Sequence, residues 1–161
     1  MSASSTEGYG LIWGSLLLAL VLQVMPMPES WLLWRPCWLG MALVYWCLVL
    51  PSRVGVTHGF VFGLLLDLLD GTVLGEHALM MSLLAFLALL LYQRMRFYSL
   101  WQQAPMVMII TGLILLLEQW VRMVIGSSTL HLQFILPALL SGLLWPWFFT
   151  LMMTLQRRQG L

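Results

Sequence analysis

The chain has 161 residues, of which 61% are hydrophobic and only 8% are charged, and its mean hydropathy is +0.95. Soluble domains typically carry about 25% charged residues, so this composition excludes an ordinary soluble domain and indicates a membrane protein. The formal net charge of +1 supplies no basic surface for nucleic acid, and we expect no nucleic-acid partner. Because one span takes about 20 residues, six spans would leave no room for a separate soluble domain.

Charged residues and prolines divide the chain into six predicted transmembrane helices within one domain, residues 1–161. The N-terminus lacks a cationic segment before its first apolar run, so we expect that run to remain as a span rather than be cleaved as a signal peptide. The predicted spans are approximately 9–28, 36–50, 54–71, 76–93, 98–122 and 130–155. A five-span alternative merges the second and third spans, but it buries Pro51 and Arg53 in the membrane.

The arginines predict which side of the membrane each end faces. In the six-span arrangement both termini lie on one side, together with five of the seven arginines: Arg53, Arg94, Arg96, Arg157 and Arg158. Arginine and lysine are enriched on the cytoplasmic side of membrane proteins. We therefore expect both the N- and the C-terminus to face the cytoplasm.

The third predicted span carries a small residue or an aspartate at every fourth position: Gly59, Gly63, Asp67, Gly71 and Gly75. On a helix this spacing forms one stripe, and small residues let two helices approach closely in lipid. The glycines are candidates for packing against a neighbouring helix of the same chain. The alternative is that they receive a separate subunit.

Asp67 and Asp70 lie three residues apart, on one face of the same predicted helix. A carboxylate at the centre of a bilayer costs about 2.5 to 3.5 kcal/mol on insertion scales, so Asp67 needs compensation. The possible sources are Arg122, a partner chain, a water-filled cavity, or backbone donors at the start of the fourth span. Asp70 is nearer the helix end, where it can reach interfacial water.

Glu118 and Arg122 are spaced as i and i+4 near the end of the fifth span. This order favours a local ion pair, which is one interpretation. The other is that one of the two residues meets Asp67 or Asp70. These four residues are the polar intramembrane candidates for binding a ligand.

The sequence shows no legible active site, metal site or cofactor motif. Asp67 to Gly71 begins like the metal signature of CDP-alcohol phosphotransferases, but the residues that should follow are absent. Cys37 and Cys47 are expected to be free, buried thiols. Tryptophans near the predicted span ends are expected to act as interfacial anchors, and they are Trp31, Trp34, Trp38, Trp101, Trp145 and Trp147.

From about Leu11 to Leu155 the chain resembles the MreD family, the rod shape-determining inner-membrane proteins of Gram-negative bacteria. The resemblance lies in several separated segments, which are residues 23–28, Arg35 and Pro36 with Trp38, Tyr45 and Trp46, residues 50–56, 59–75 with Asp67, 100–103 and 142–147. Together these segments cover nearly the whole chain.

This resemblance implies a non-enzymatic membrane subunit of the machinery that builds the lateral cell wall. Its expected partner is the transmembrane helix of MreC, in a complex with MreB, a RodA-type glycosyltransferase and a class B penicillin-binding transpeptidase, among membrane lipids. The resemblance also implies a fold like the six-helix substrate-binding subunits of energy-coupling-factor transporters. A second function follows from that fold, namely a membrane subunit that binds a small molecule or a lipid intermediate.

Overall fold

The computed structural model describes residues 3–26, 28–32, 34–126 and 135–158. The regular elements in these ranges are seven α-helices, so the predicted all-α fold class is confirmed. Their bounds are α1 Ala3–Val24, α2 Glu29–Leu32, α3 Trp38–Val49, α4 Val56–Asp70, α5 Glu76–Met95, α6 Leu100–Val124 and α7 Ile135–Arg158. Residues 130–134 of the last predicted span lie outside the described residues.

Six of these helices correspond in order to the six predicted spans, and the short α2 lies between the first two. Three helices, α5, α6 and α7, are long and apolar enough to cross a membrane. Shorter apolar helices cover Gly8–Val24 within α1 and the whole of α3. As predicted, α4 continues through Asp67 to Asp70. The six-span topology itself stays a prediction.

Helix α3 forms the centre of the bundle. It packs against α1, α5, α6 and α7, and the side chains from Leu39 to Leu48 are buried. Its 12 residues extend about 18 Å, less than the roughly 30 Å of hydrocarbon in a bilayer. A helix enclosed by protein does not have to match that thickness, which explains how α3 can be so short. Cys37 and Cys47 are free and buried here, as predicted.

The other long helices surround α3 in the order α1, α4, α5, α6 and α7. Each consecutive pair in this series is in contact, and the tightest contacts are between α4 and α5 and between α6 and α7. The first and last members, α1 and α7, meet at most marginally. The ring of helices is therefore open between α1 and α7.

Consecutive long helices run in opposite directions, so the bundle has two distinct ends. We call one the network end, because the C-terminus of α4, the N-terminus of α5 and the C-terminus of α6 meet there. We call the other the arginine end, because it carries Arg53, Arg94, Arg96, Arg157 and Arg158. The acidic side chains that the structure describes all lie towards the network end, and they are Asp67, Asp70, Glu76 and Glu118.

Two glycines of α4 allow its close approach to α5. A Cβ atom at Gly59 would lie 2.5 Å from the Met81 carbonyl oxygen, and one at Gly63 would lie 2.5 Å from the Ala78 Cα. Real Cβ atoms do not come so close, so both positions require glycine. The glycine face of α4 is thus filled by α5 of the same chain.

Gly71 and Gly75 do not continue the predicted stripe, because α4 ends at Asp70. Both have positive φ angles, 66° and 100°, and a Cβ atom at either would meet nothing within 4 Å. Gly71 ends α4 in the left-handed conformation, and Gly75 occupies the position before α5. Their role is in the turn rather than in helix packing.

Candidate functional site

Asp67 is bound by the N-terminus of the neighbouring helix. Its side chain is fully buried and accepts hydrogen bonds from the backbone N–H groups of Gly75 (2.9 Å), His77 (2.9 Å) and Ala78 (3.3 Å). The first N–H groups of a helix have no partners within the helix, and the positive end of the helix dipole favours a carboxylate. Backbone donors at the start of α5, one of the four sources considered for Asp67, therefore compensate it.

Two side chains complete the environment of this carboxylate. The Thr72 hydroxyl donates to Oδ1 at 3.1 Å, and His77 Nδ1 lies 2.8 Å from the same oxygen. Both oxygens of Asp67 are engaged within the chain. Asp67 consequently joins the end of α4, the following turn and the start of α5.

His77 extends the network to α6. Its Nε2 lies 3.5 Å from Glu118 Oε1. The same Glu118 oxygen forms an ion pair with Arg122 Nη2 at 2.7 Å. Arg122 Nε also pairs with Glu76 in the first turn of α5. The local Glu118–Arg122 pair is thus present, and Arg122 additionally ties α6 to α5.

We define the Asp67 network as the connected side chains of Asp67, Thr72, Glu76, His77, Glu118 and Arg122. Their mutual contacts satisfy polar groups that are costly to bury alone. The geometry holds α4, α5 and α6 together at the network end. Within the described residues, no group of three or more His, Cys, Asp and Glu side chains is arranged to hold a metal ion.

Asp70 lies outside the Asp67 network contacts described above. Its side chain is exposed, whereas Asp67 is 1% exposed. The i, i+3 spacing predicts both aspartates on one face of α4. The start of α5 contacts Asp67 on that face but leaves Asp70 exposed. The two residues therefore differ in environment despite their proximity in sequence.

A second polar joint lies at the arginine end. The buried Gln103 side chain donates from Nε2 to the Met95 and Tyr98 carbonyl oxygens, at 3.0 and 3.2 Å. Its Oε1 accepts a hydrogen bond of 3.1 Å from Trp145 Nε1. Gln103 thereby joins the turn between α5 and α6 to α7. The prediction that Trp145 anchors the membrane interface was wrong, because its side chain is completely buried.

Sequence reasoning missed Glu76, His77, Gln103 and Trp145 as members of these polar joints. One signal was available for His77. The short turn from Gly71 to Gly75 returns the chain directly, so the first turn of α5 must lie beside the last turn of α4. No comparable signal existed for Gln103, since its partner Trp145 lies 42 residues away.

An open groove separates α1 from α7. It has a volume of about 690 Å³ and is lined by Gly10, Leu11, Gly14, Ser15, Leu18, Met152 and Leu155. A Cβ atom at Gly10 or Gly14 would meet nothing within 4 Å, unlike the glycines of α4. The groove thus exposes a Gly-x-x-x-Gly face of α1 at the opening in the ring.

Comparison with known proteins identifies the family. A sequence profile described as rod shape-determining protein MreD matches residues 4–155. The rod shape-determining protein MreD of Haemophilus influenzae (strain ATCC 51907 / DSM 11121 / KW20 / Rd) is 38% identical over 141 residues, which cover 88% of this chain and 87% of that protein. No solved structure matches, so the likeness to energy-coupling-factor transporter subunits stays a prediction. The chain belongs to the MreD family of rod shape-determining proteins.

Proposed function

We propose that this protein is a non-enzymatic, six-span subunit of the cell-wall elongation complex in the bacterial inner membrane, with cytoplasmic termini. In this role it binds the transmembrane helix of MreC and supports rod shape and lateral peptidoglycan synthesis. MreB, a RodA-type glycosyltransferase and a class B penicillin-binding transpeptidase belong to the same complex. Family membership, the three long apolar helices and the asymmetric distribution of arginine support the proposal.

The groove between α1 and α7 is the proposed site for the MreC helix. The α4 glycine face cannot serve, because α5 already occupies it at Gly59 and Gly63. On α1, by contrast, Gly10 and Gly14 are open at the place where the ring of helices is incomplete. Small residues four apart favour helix association in lipid. This open Gly-x-x-x-Gly face is the observation that carries the proposed docking site.

Photo-crosslinking in living cells tests this site. A photoreactive amino acid is introduced at Leu18 or Leu155 in the groove, and separately at Leu90 or Leu113, which are exposed on α5 and α6. All four side chains are leucines on the apolar surface, so the second pair is a matched control. We expect crosslinks to MreC from the groove positions only.

Three outcomes of the crosslinking would contradict different parts of the proposal. Crosslinks to MreC from Leu90 or Leu113 alone would move the docking site to another face. Absence of crosslinks to MreC from all four positions, with the protein present and rod shape intact, would contradict direct binding of MreC. Lipid adducts at Leu18 without MreC would assign the groove to an acyl chain.

The alternative function, binding of a small molecule or lipid intermediate at the intramembrane charges, has less support. Both Asp67 oxygens are already engaged by donors of the same chain, and Glu118 contacts His77 and Arg122. Groups that bind an added ligand must have hydrogen-bonding capacity left over. The Asp67 network instead has the character of a structural joint.

A further inference from the structure

A second groove lies at the arginine end, between the C-terminal ends of α3, α5 and α7. It consists of two adjoining cavities of about 290 and 170 Å³ that share Val49 and Phe149. The apolar wall of the smaller cavity includes Tyr45 and Met153, while Arg96 lines the larger cavity and Arg157 the smaller one. The groove therefore combines a mainly apolar wall, centred on the shared Val49 and Phe149, with one cationic side chain in each half.

The polar side chains along this groove differ in whether they already have a hydrogen-bond or ion-pair partner within the protein. The Tyr45 hydroxyl donates to Gln156 Oε1 at 2.9 Å, and the Gln103 amide is used by the α5–α6 turn and Trp145. Among the described residues, no carboxylate lies within 4 Å of Arg96 or Arg157, and no acidic residue lines either cavity. Both arginine residues are exposed, so they are available to an anion.

We propose that this groove binds an anionic phospholipid, with the charged headgroup drawn to the side that carries Arg96 and Arg157 and the upper acyl chain against Val49 and Phe149. Basic pockets between transmembrane helices on the cytoplasmic side bind anionic lipid headgroups, and guanidinium groups match phosphate geometry. An amphiphile fits better than a free anion, because the two residues that line both cavities, Val49 and Phe149, are apolar. This site goes beyond the proposed function, since it requires no partner protein.

Native mass spectrometry of the purified full-length protein in nonionic detergent tests the site. The protein is titrated with phosphatidylglycerol and, in parallel, with zwitterionic phosphatidylethanolamine. We expect preferential binding of phosphatidylglycerol. Because an arginine near an anionic lipid contributes about fivefold to affinity, the double variant Arg96→Gln with Arg157→Gln should bind phosphatidylglycerol about 30-fold more weakly.

The matched control is the double variant Arg53→Gln with Arg94→Gln. It removes the same charge from the same end of the bundle, but neither residue lines the groove. We expect less than about threefold loss of affinity, since neither side chain contacts the groove and salt screens charges outside it. Equal losses in the two double variants, or equal binding of the two lipids, would overturn the proposal.

A third variant, Val49→Phe, keeps every charge and adds bulk where the two cavities meet. We expect it to weaken phosphatidylglycerol binding, because the site needs the apolar groove as well as the arginines. Unchanged binding would contradict that requirement. Displacement of phosphatidylglycerol by inorganic phosphate, or by a glutamate-rich peptide at similar concentration, would replace the lipid by a soluble anion or a partner segment and overturn the proposal.

Discussion

The network end and the arginine end of the bundle use charged residues in opposite ways. At the network end, Asp67 accepts hydrogen bonds from backbone N–H groups of α5, and Arg122 forms ion pairs with both Glu76 and Glu118. At the arginine end, the buried joint is a neutral one between Gln103 and Trp145. Five arginines there, from Arg53 to Arg158, form no ion pair among the described residues.

This difference separates two uses of charge in a membrane protein. Buried charges at the network end hold helices together and must satisfy one another, because unpaired charges are costly in a medium of low polarity. At the other end, Arg53 is half-buried with its guanidinium over the Tyr9 ring. The other four arginines are exposed, so they contribute little to internal packing and are available to water and lipid headgroups. Substitutions at the two ends should therefore have different consequences for stability.

The largest effect is expected from Asp67→Ala. The substitution removes the acceptor of the backbone N–H groups of Gly75, His77 and Ala78, and those of His77 and Ala78 are buried. We expect a loss of about 3 to 5 kcal/mol in the free energy of unfolding, measured by titration with sodium dodecyl sulfate in mixed micelles. The control Asp70→Ala removes an exposed carboxyl three residues later and should cost less than about 0.5 kcal/mol. Similar losses from both would contradict the distinction between them.

The second-largest loss of stability is expected from a substitution at the close crossing of α4 and α5. Gly63→Ala places a methyl group against the backbone of α5, and we expect it to cost about 1 to 3 kcal/mol in the same unfolding assay. Gly10→Ala adds the same methyl group to the open face of α1 and should leave the isolated protein as stable, or up to about 1 kcal/mol more stable. A destabilised Gly10→Ala variant would show that this face is covered.

The neutral joint at the arginine end is tested by Gln103→Ala. This variant leaves the Trp145 indole N–H without its acceptor and removes one of the two donors to the Met95 carbonyl oxygen. We expect a loss of about 1 to 3 kcal/mol in unfolding free energy. Gln93→Ala, an exposed glutamine on α5, provides the control. Equal losses of unfolding free energy in the two glutamine variants would show that the hydrogen bonds of Gln103 do not stabilise the arginine end.

The smallest effect is expected from Arg94→Gln and Arg96→Gln. Since both side chains are exposed, each variant should change the unfolding free energy by less than about 0.5 kcal/mol. Thermal unfolding in detergent checks this directly. A marked loss of stability would mean that these arginines pair within the protein. It would contradict the distinction between stabilising charges at the network end and unpaired charges at the arginine end.

The sequence predicted local features better than contacts between distant segments. The uncharged residues before Asp67 are too few to cross a bilayer, which predicted that helix α4 continues through Asp67. The Glu118–Arg122 pair follows from helical periodicity. The four-residue spacing could not show that Gly71 would end the helix instead of extending the stripe. His77 and Trp145 were missed because their partners are defined only when α4, α5, α6 and α7 come together.

The location of the two ends on opposite sides of the membrane is the claim on which this account most depends. It is tested by labelling intact cells with a membrane-impermeant maleimide, after replacing the native Cys37 and Cys47. Val73→Cys reports the exposed turn at the network end, and Ser52→Cys reports an exposed position at the arginine end. We predict labelling of Val73→Cys alone, with Ser52→Cys labelled only after the cells are permeabilised. Labelling of Ser52→Cys in intact cells would contradict the account.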